Sequence, residues 1–129
     1  MLQPVSPNPT ADAKLPYSQG MIARGEMRTL YIAGQVGADA NGAVMPDFEA
    51  QARQAWTNLL AVLEAANMKV SDLIKITAFL TDPADYAAYG SLRTQFLAGC
   101  KPTSTLLVVK ALARPEWKFE IEGVAMTAA

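Results

Sequence analysis

The sequence predicts an α+β fold of order β-β-α-β-α-β-β, a mixed sheet with two helices on one face. Three observations predict it. Residues 117 to 126 alternate strictly, with Trp117, Phe119, Ile121 and Gly123 on one side and Lys118, Glu120 and Glu122 on the other. That is a strand with one dry face and one wet face. Residues 47 to 66 place Phe48, Ala52, Ala55, Trp56, Leu59, Leu63 and Ala66 at spacings of three and four, the stripe of an amphipathic helix. Strand-like and helix-like stretches interleave within 129 residues, a length that suits a single domain, residues 1 to 129, around one core.

The elements follow in order. Pro4, Pro7, Pro9 and Pro16 each fix φ and remove a donor, so residues 1 to 16 read as an extended, irregular arm and not as a helix. Residues 19 to 25 and 29 to 34 read as short strands, and GEMR between them as the turn of a hairpin. The loop GQVGADANGAVMP supplies residues suited to tight bends. Asp47 is placed to cap the first long helix, with Glu49 at the positive end of its dipole. Asn67 is placed to stop it in the left-handed conformation.

Residues 72 to 81 form the next strand, with Ile74, Ile76, Ala78 and Leu80 on one face. Asp82 caps a second helix, Pro83 takes its first position and Gly99 ends it. Its stripe runs through Tyr86, Tyr89, Leu92 or Arg93, and Phe96, and Gly90 sits inside it. Residues 104 to 112 and 117 to 126 complete the chain as strands. Their short ARPE connection predicts that they pair as a hairpin. The first is apolar on both sides, with Leu107 and Val109 opposite Leu106 and Val108. One helical layer cannot cover two apolar faces, which predicts a homo-oligomer.

Composition narrows the function. There are 11 basic and 12 acidic residues, with no basic run of the kind that binds phosphate backbones, so no nucleic-acid partner is expected. No histidine is present, which removes the commonest general base and the commonest metal ligand together. Cys100 is the only cysteine, so no intrachain disulfide forms and no thiolate cluster holds zinc. Neither metal nor cofactor is expected. No signal peptide and no apolar run of membrane-spanning length is evident. The chain reads as soluble and cytoplasmic, with no membrane partner.

Phosphate-cradling glycine loops, nucleophile elbows and CxxC pairs are absent. Lys75 and Lys110 lie in strands, where snorkelling or pairing with a carboxylate is the commoner fate of lysine. Glu120 and Glu122 stand two apart on one strand, their Cα atoms about 6.6 Å apart. Periodicity leaves two readings open for this pair. It is a solvated polar face, or one carboxylate, raised by burial or by its neighbour, orients a water at a subunit boundary.

The ordered pieces PYSQG (16–20), YIAGQVG (31–37), EAQARQAWTNLLAVLEAAN (49–67), LIKITAFLTD (73–82) and FEIEGVA (119–125) together resemble the YjgF/RidA family of small trimeric proteins, over nearly the whole chain from Pro16. The resemblance implies a chorismate-mutase-like fold, three subunits closing their sheets into a central barrel, and ligand sites in the clefts between subunits. It also implies hydrolysis of reactive imine or enamine acids to keto acids and ammonia, without metal or cofactor.

Carried over by motif, the tyrosine of PYSQ is Tyr17, the glycine of the family's SGQ is Gly34, and the first glutamate of EIE is Glu120. Tyr17 would hydrogen-bond the substrate, and Glu120 would orient water. Ala33 stands where the family has serine. The family's carboxylate-clamping arginine is replaced by Ser104, a cysteine by Leu106, a second-helix asparagine by Gly90 and a following aromatic by Arg93. The resemblance therefore implies a divergent member. Its expected function is that of a small-molecule hydrolase or deaminase of altered specificity, with Gly34, Ser104 and Arg93 lining the ligand pocket. The alternative is a non-catalytic trimer that binds a small metabolite.

Overall fold

The computed structural model describes residues 1–129. A four-stranded mixed sheet carries the two long helices on one face. Strand β1 is Leu2–Val5, helix α1 is Pro9–Asp12, β2 is Gly20–Ala23, β3 is Met27–Val36, α2 is Phe48–Ala65, β4 is Leu73–Leu80, α3 is Tyr86–Leu97, β5 is Thr103–Val108 and β6 is Phe119–Ala128. Single 3-10 turns at Val70–Asp72 and Pro83–Asp85 lead into β4 and α3. No helix is long and apolar enough to cross a membrane.

Sheet order is β3-β6-β4-β5. Strand β6 lies antiparallel between β3 and β4, and β5 runs parallel to β4 at the edge. This corrects the expected hairpin between the last two strands. The β4-α3-β5 segment is a crossover unit: α3 packs on the sheet and returns the chain parallel to β4. Strand β6 then finds β4's other edge vacant, and β3 beyond it.

The N-terminal expectations need a second correction. Strand β2 pairs with β1, not with β3, so residues 19 to 34 form no hairpin. The arm is not irregular, since it contains β1 and one turn of helix. Ser6 Oγ donates to the Asp12 carboxylate, and Lys101 Nζ donates to Ala13 O at 2.9 Å. The first bond braces the arm internally, and the second ties it back to the domain.

Helix α2 forms as its sequence dictates. Asp47 accepts from Ala50 N at 2.9 Å, and Asn67 adopts φ 55° just past the end. Trp56, Leu59 and Leu63 are buried against Ile76, Ala78, Leu80, Phe119 and Ile121. In β4 the buried set is Leu73, Ile76, Ala78 and Leu80, with Ile74 only half-buried. A register shift between Leu73 and Lys75 swaps Leu73 into the place the alternation gave to Ile74. In α3, Tyr89, Leu92 and Leu97 face the core, while Tyr86 is 61% exposed and lies off the stripe.

Gln51 is the one polar side chain sealed in the core, 1% exposed. Its amide NH2 donates to Met45 O and Glu116 O, both at 3.0 Å, and its Oε1 accepts from Lys118 N at 2.8 Å. One side chain thus fastens two loops to α2. Gln51→Leu would leave two carbonyls and one N–H without partners. The expected cost is about 2 kcal/mol, read as a lower urea midpoint at unchanged slope.

Candidate functional site

The other face of the sheet carries no helix. Register and alternation put Tyr31 of β3, Glu120, Glu122 and Val124 of β6, Thr77 and Phe79 of β4 and Leu107 of β5 on it. Tyr31 is 78% and Leu107 44% exposed.

Glu120 is half-buried on this face although it lies on the polar side of its strand. The cause is β6's central position, which sets Val36 beside it on one side and Phe79 on the other. Its carboxyl group folds over β3 at the irregularity between Ile32 and Gln35. There the space that a Cβ on Gly34 would fill is already taken by the Glu120 carboxylate, with the carboxyl carbon 2.8 Å from that point. Glycine at 34 thus leaves the Glu120 carboxylate room to lie over β3. Burial pushes the Glu120 carboxyl above the ordinary value of 4.5, and the negative charge of Glu122 pushes it further. It forms neither an ion pair nor a hydrogen bond with the rest of the chain; the one salt bridge is Arg53–Glu49. Glu122, on the same face, is exposed.

Tyr17 sits elsewhere. Ser18 N donates to Pro102 O at 3.1 Å, and Ser18 bridges Thr103 in parallel. The PYSQ stretch therefore runs beside the start of β5 at the sheet's edge. Tyr17 is half-buried there and lines a cleft of about 580 Å³ with Cys100, Lys101, Pro102 and the arm residues Val5 and Pro9. That volume lies within the range of small-ligand pockets.

Ser104 pairs with Ile76. Residues opposite each other in a ladder share a face, so Ser104 lies on the helix-covered side, at the edge strand. Arg93 belongs to the same side. It projects from α3 with its guanidinium carbon 5.6 Å from the centroid of the Tyr89 ring. The Tyr89 hydroxyl is buried without a hydrogen-bond partner, and burial pushes it up to about 12, against the opposing effects of Arg93 and Trp56. It stays protonated at any ordinary pH.

The five candidate residues thus fall into separate groups. Glu120 and Gly34 are in contact on the uncovered face, and Tyr17 and Ser104 lie along the β5 edge. Arg93 joins Ser104 on the helix side. Glu120 and Ser104 are two strands apart and, because Glu120 pairs with Phe79 and Ser104 with Ile76, also three residues apart along β4, roughly 14 Å in the plane of the sheet, and on opposite faces. No group of three His, Cys, Asp or Glu side chains is placed to hold a metal ion. Sequence reasoning missed the Glu120–Gly34 contact, because a period-two pattern gives a face but not the depth of a residue on it.

The model of the family described as Endoribonuclease L-PSP matches residues 8–127. The 2-iminobutanoate/2-iminopropanoate deaminase of Salmonella typhimurium is 36% identical over 114 residues, covering 86% of this chain and 87% of that protein. The RutC family protein PH0854 of Pyrococcus horikoshii is 34% identical over 112 residues, covering 85% of this chain and 86% of the other. Among solved structures, that of the Rid family protein YyfB from Yersinia pestis, a protein of unknown function, superposes with a TM-score of 0.87 at 30% identity, covering 98% of each chain. The element order, the mixed sheet and the residues matched agree with one another, and the chain belongs to the Endoribonuclease L-PSP family, the YjgF/RidA group.

Proposed function

We propose that the chain is a hydrolase of small imines, enamines or related electrophiles, working as a homotrimer with its sites in the clefts between subunits. The observation that carries this is Glu120, a half-buried carboxylate with no partner of its own, lying over a glycine that leaves it room. The division of the candidates between two faces supports a shared cleft, since one chain alone does not gather them. The uncovered sheet face, with Tyr31 and Leu107 exposed on it, is the surface that trimer formation would bury.

In this reading Glu120 accepts a hydrogen bond from a water and aims it at the electrophilic carbon of C=N. Water adds, the nitrogen takes up a proton, and the carbinolamine collapses to a ketone and ammonia. Tyr17 donates to the substrate, the backbone at Gly34 and the Ser104 hydroxyl line the pocket, and Arg93 contributes positive charge. Catalysis is then mostly orientation, because the C=N carbon is already electrophilic.

The test is to generate imino acids enzymatically in the presence of the purified protein and to follow ammonia and keto-acid release. Acceleration over buffer is expected, with a loss of about 10²-fold in Glu120→Gln. No acceleration across several side chains would reject the deaminase reading. Ser104, standing in place of the family's arginine, favours a second reading: a trimer that binds a metabolite and does not turn it over. Saturable binding without turnover, unaffected by Glu120→Gln, would establish that one.

The pH profile follows from the same carboxyl. Activity that needs ionised Glu120 is lost as pH falls through its raised value, so the acid limb of kcat/KM is expected above the ordinary glutamate range. Glu122→Gln removes the second cause of the shift and moves the limb down. Burial, the larger cause, remains, so the limb stays above 4.5. A limb unmoved by Glu122→Gln would show that another group sets it.

A further inference from the structure

We infer that Arg93, on the face of α3 that it shares with Gly90, forms an anion subsite on the helix side of the cleft, and that it takes the carboxylate of the ligand. This rests on the reading of the α3–β5 side as one wall of that cleft.

The chain has eleven Lys and Arg residues, and Arg93 is the only one that is not exposed. A half-buried cation ordinarily finds an acid. Arg93 finds none in its own chain, and it donates no hydrogen bond there. Its Nε is fully buried without an acceptor. The guanidinium carbon nevertheless lies over the Tyr89 ring, 5.6 Å from its centroid. That ring is 0% exposed and packs 5.1 Å from Phe119. A guanidinium lying over a buried ring presents its fork with less ordering left to lose, and the fork matches a carboxylate in two parallel hydrogen bonds.

Gly90 leaves the face beside Arg93 open. Three residues before Arg93, it shares that face of α3. Its backbone is ordinary helix, with no positive φ. A Cβ there would meet no atom within 4 Å. Neither backbone conformation nor close packing accounts for a glycine, the poorest helix former after proline, in mid-helix. Open space beside an unpaired cation leaves room for a ligand at Arg93.

Calorimetric titration of the full-length assembled protein tests this. The probes are 2-oxobutanoate, the keto acid left when 2-iminobutanoate is hydrolysed, and its uncharged amide. Arg93→Gln is expected to weaken 2-oxobutanoate ten- to hundredfold and the amide less than twofold. Arg93→Lys, which keeps the charge but not the fork, falls between and keeps the test sound if the glutamine variant folds poorly. Gly90→Leu, which occupies the open space beside Arg93, weakens both. Equal binding of 2-oxobutanoate by wild type and Arg93→Gln overturns the inference, as does a wild-type protein that binds neither probe. It is also overturned if Arg93→Gln breaks up the assembly on size-exclusion chromatography and both probes lose affinity alike, because Arg93 would then be paired with an acid of a neighbouring subunit. Tight, charge-selective binding of 2-oxobutanoate by a protein without deaminase activity would sink the catalytic reading and leave the anion subsite standing.

Discussion

Gly37→Ala is expected to destabilise the protein by at least about 3 kcal/mol. Gly37 is buried where the loop after β3 passes under α2. The space an added Cβ needs is occupied by the Cα and Cβ of Gln51, with its Cγ 2.7 Å away. A backbone atom in a capped helix of 18 residues cannot step aside as a side-chain tip can, so either the loop or the helix must shift. Both movements are costly. Met45 N donates to Gly37 O at 2.8 Å to close the loop, and the Gln51 amide donates to Met45 O. Moving α2 away breaks the bonds that Gln51 makes to two loops at once. Urea denaturation measures the loss, and a decrease below about 1 kcal/mol would show that the loop is more yielding than its bonds imply. Because Gly37→Ala and Gln51→Leu act on one contact, the double variant is expected to cost less than the sum of the two.

The same region shows what the sequence reveals and what it hides. The α2 span was legible because two local signals agree, a 3.6-residue apolar period and a cap at each end, Asp47 and Asn67. Gln51 was not legible as a fastener, although it stands within the stripe between Phe48 and Ala55. A polar residue at a core position announces itself only if its partners are known, and those partners, Glu116 O and Lys118 N, are more than sixty residues away. Strand pairing was lost for a similar reason. Nearness in sequence favours hairpins for residues 19 to 34 and for the last two strands. The loop-closure advantage is overridden where a crossover helix takes β5 to one edge of β4 and leaves the other to β6. The site was half legible. Motif resemblance picked Glu120, Gly34 and Tyr17, but only the register shows that Glu120 sits between Val36 and Phe79 on one face while Ser104 lies on the other.

Gly34→Ala is expected to leave stability within about 1 kcal/mol of wild type while reducing turnover about 10²-fold. The contrast with Gly37 lies in what each Cβ would meet. At Gly34 it meets the far end of the Glu120 side chain, which can rotate away. Rotation relieves the clash at the cost of the carboxylate's place over β3, and a displacement of about 1 Å in an orienting group is enough for a loss of that size. Two further measurements separate this from a general disturbance of β3. Combining Gly34→Ala with Glu120→Gln should be little worse than Glu120→Gln alone, since a glutamine that orients no water loses nothing by being moved. The acid limb of any residual activity should also fall, because a carboxylate swung into water loses the burial that raised it. A fully active Gly34→Ala protein would mean that the position of Glu120 over Gly34 has no part in the chemistry. Equal losses in stability and activity would mean that the glycine serves the sheet and not the site.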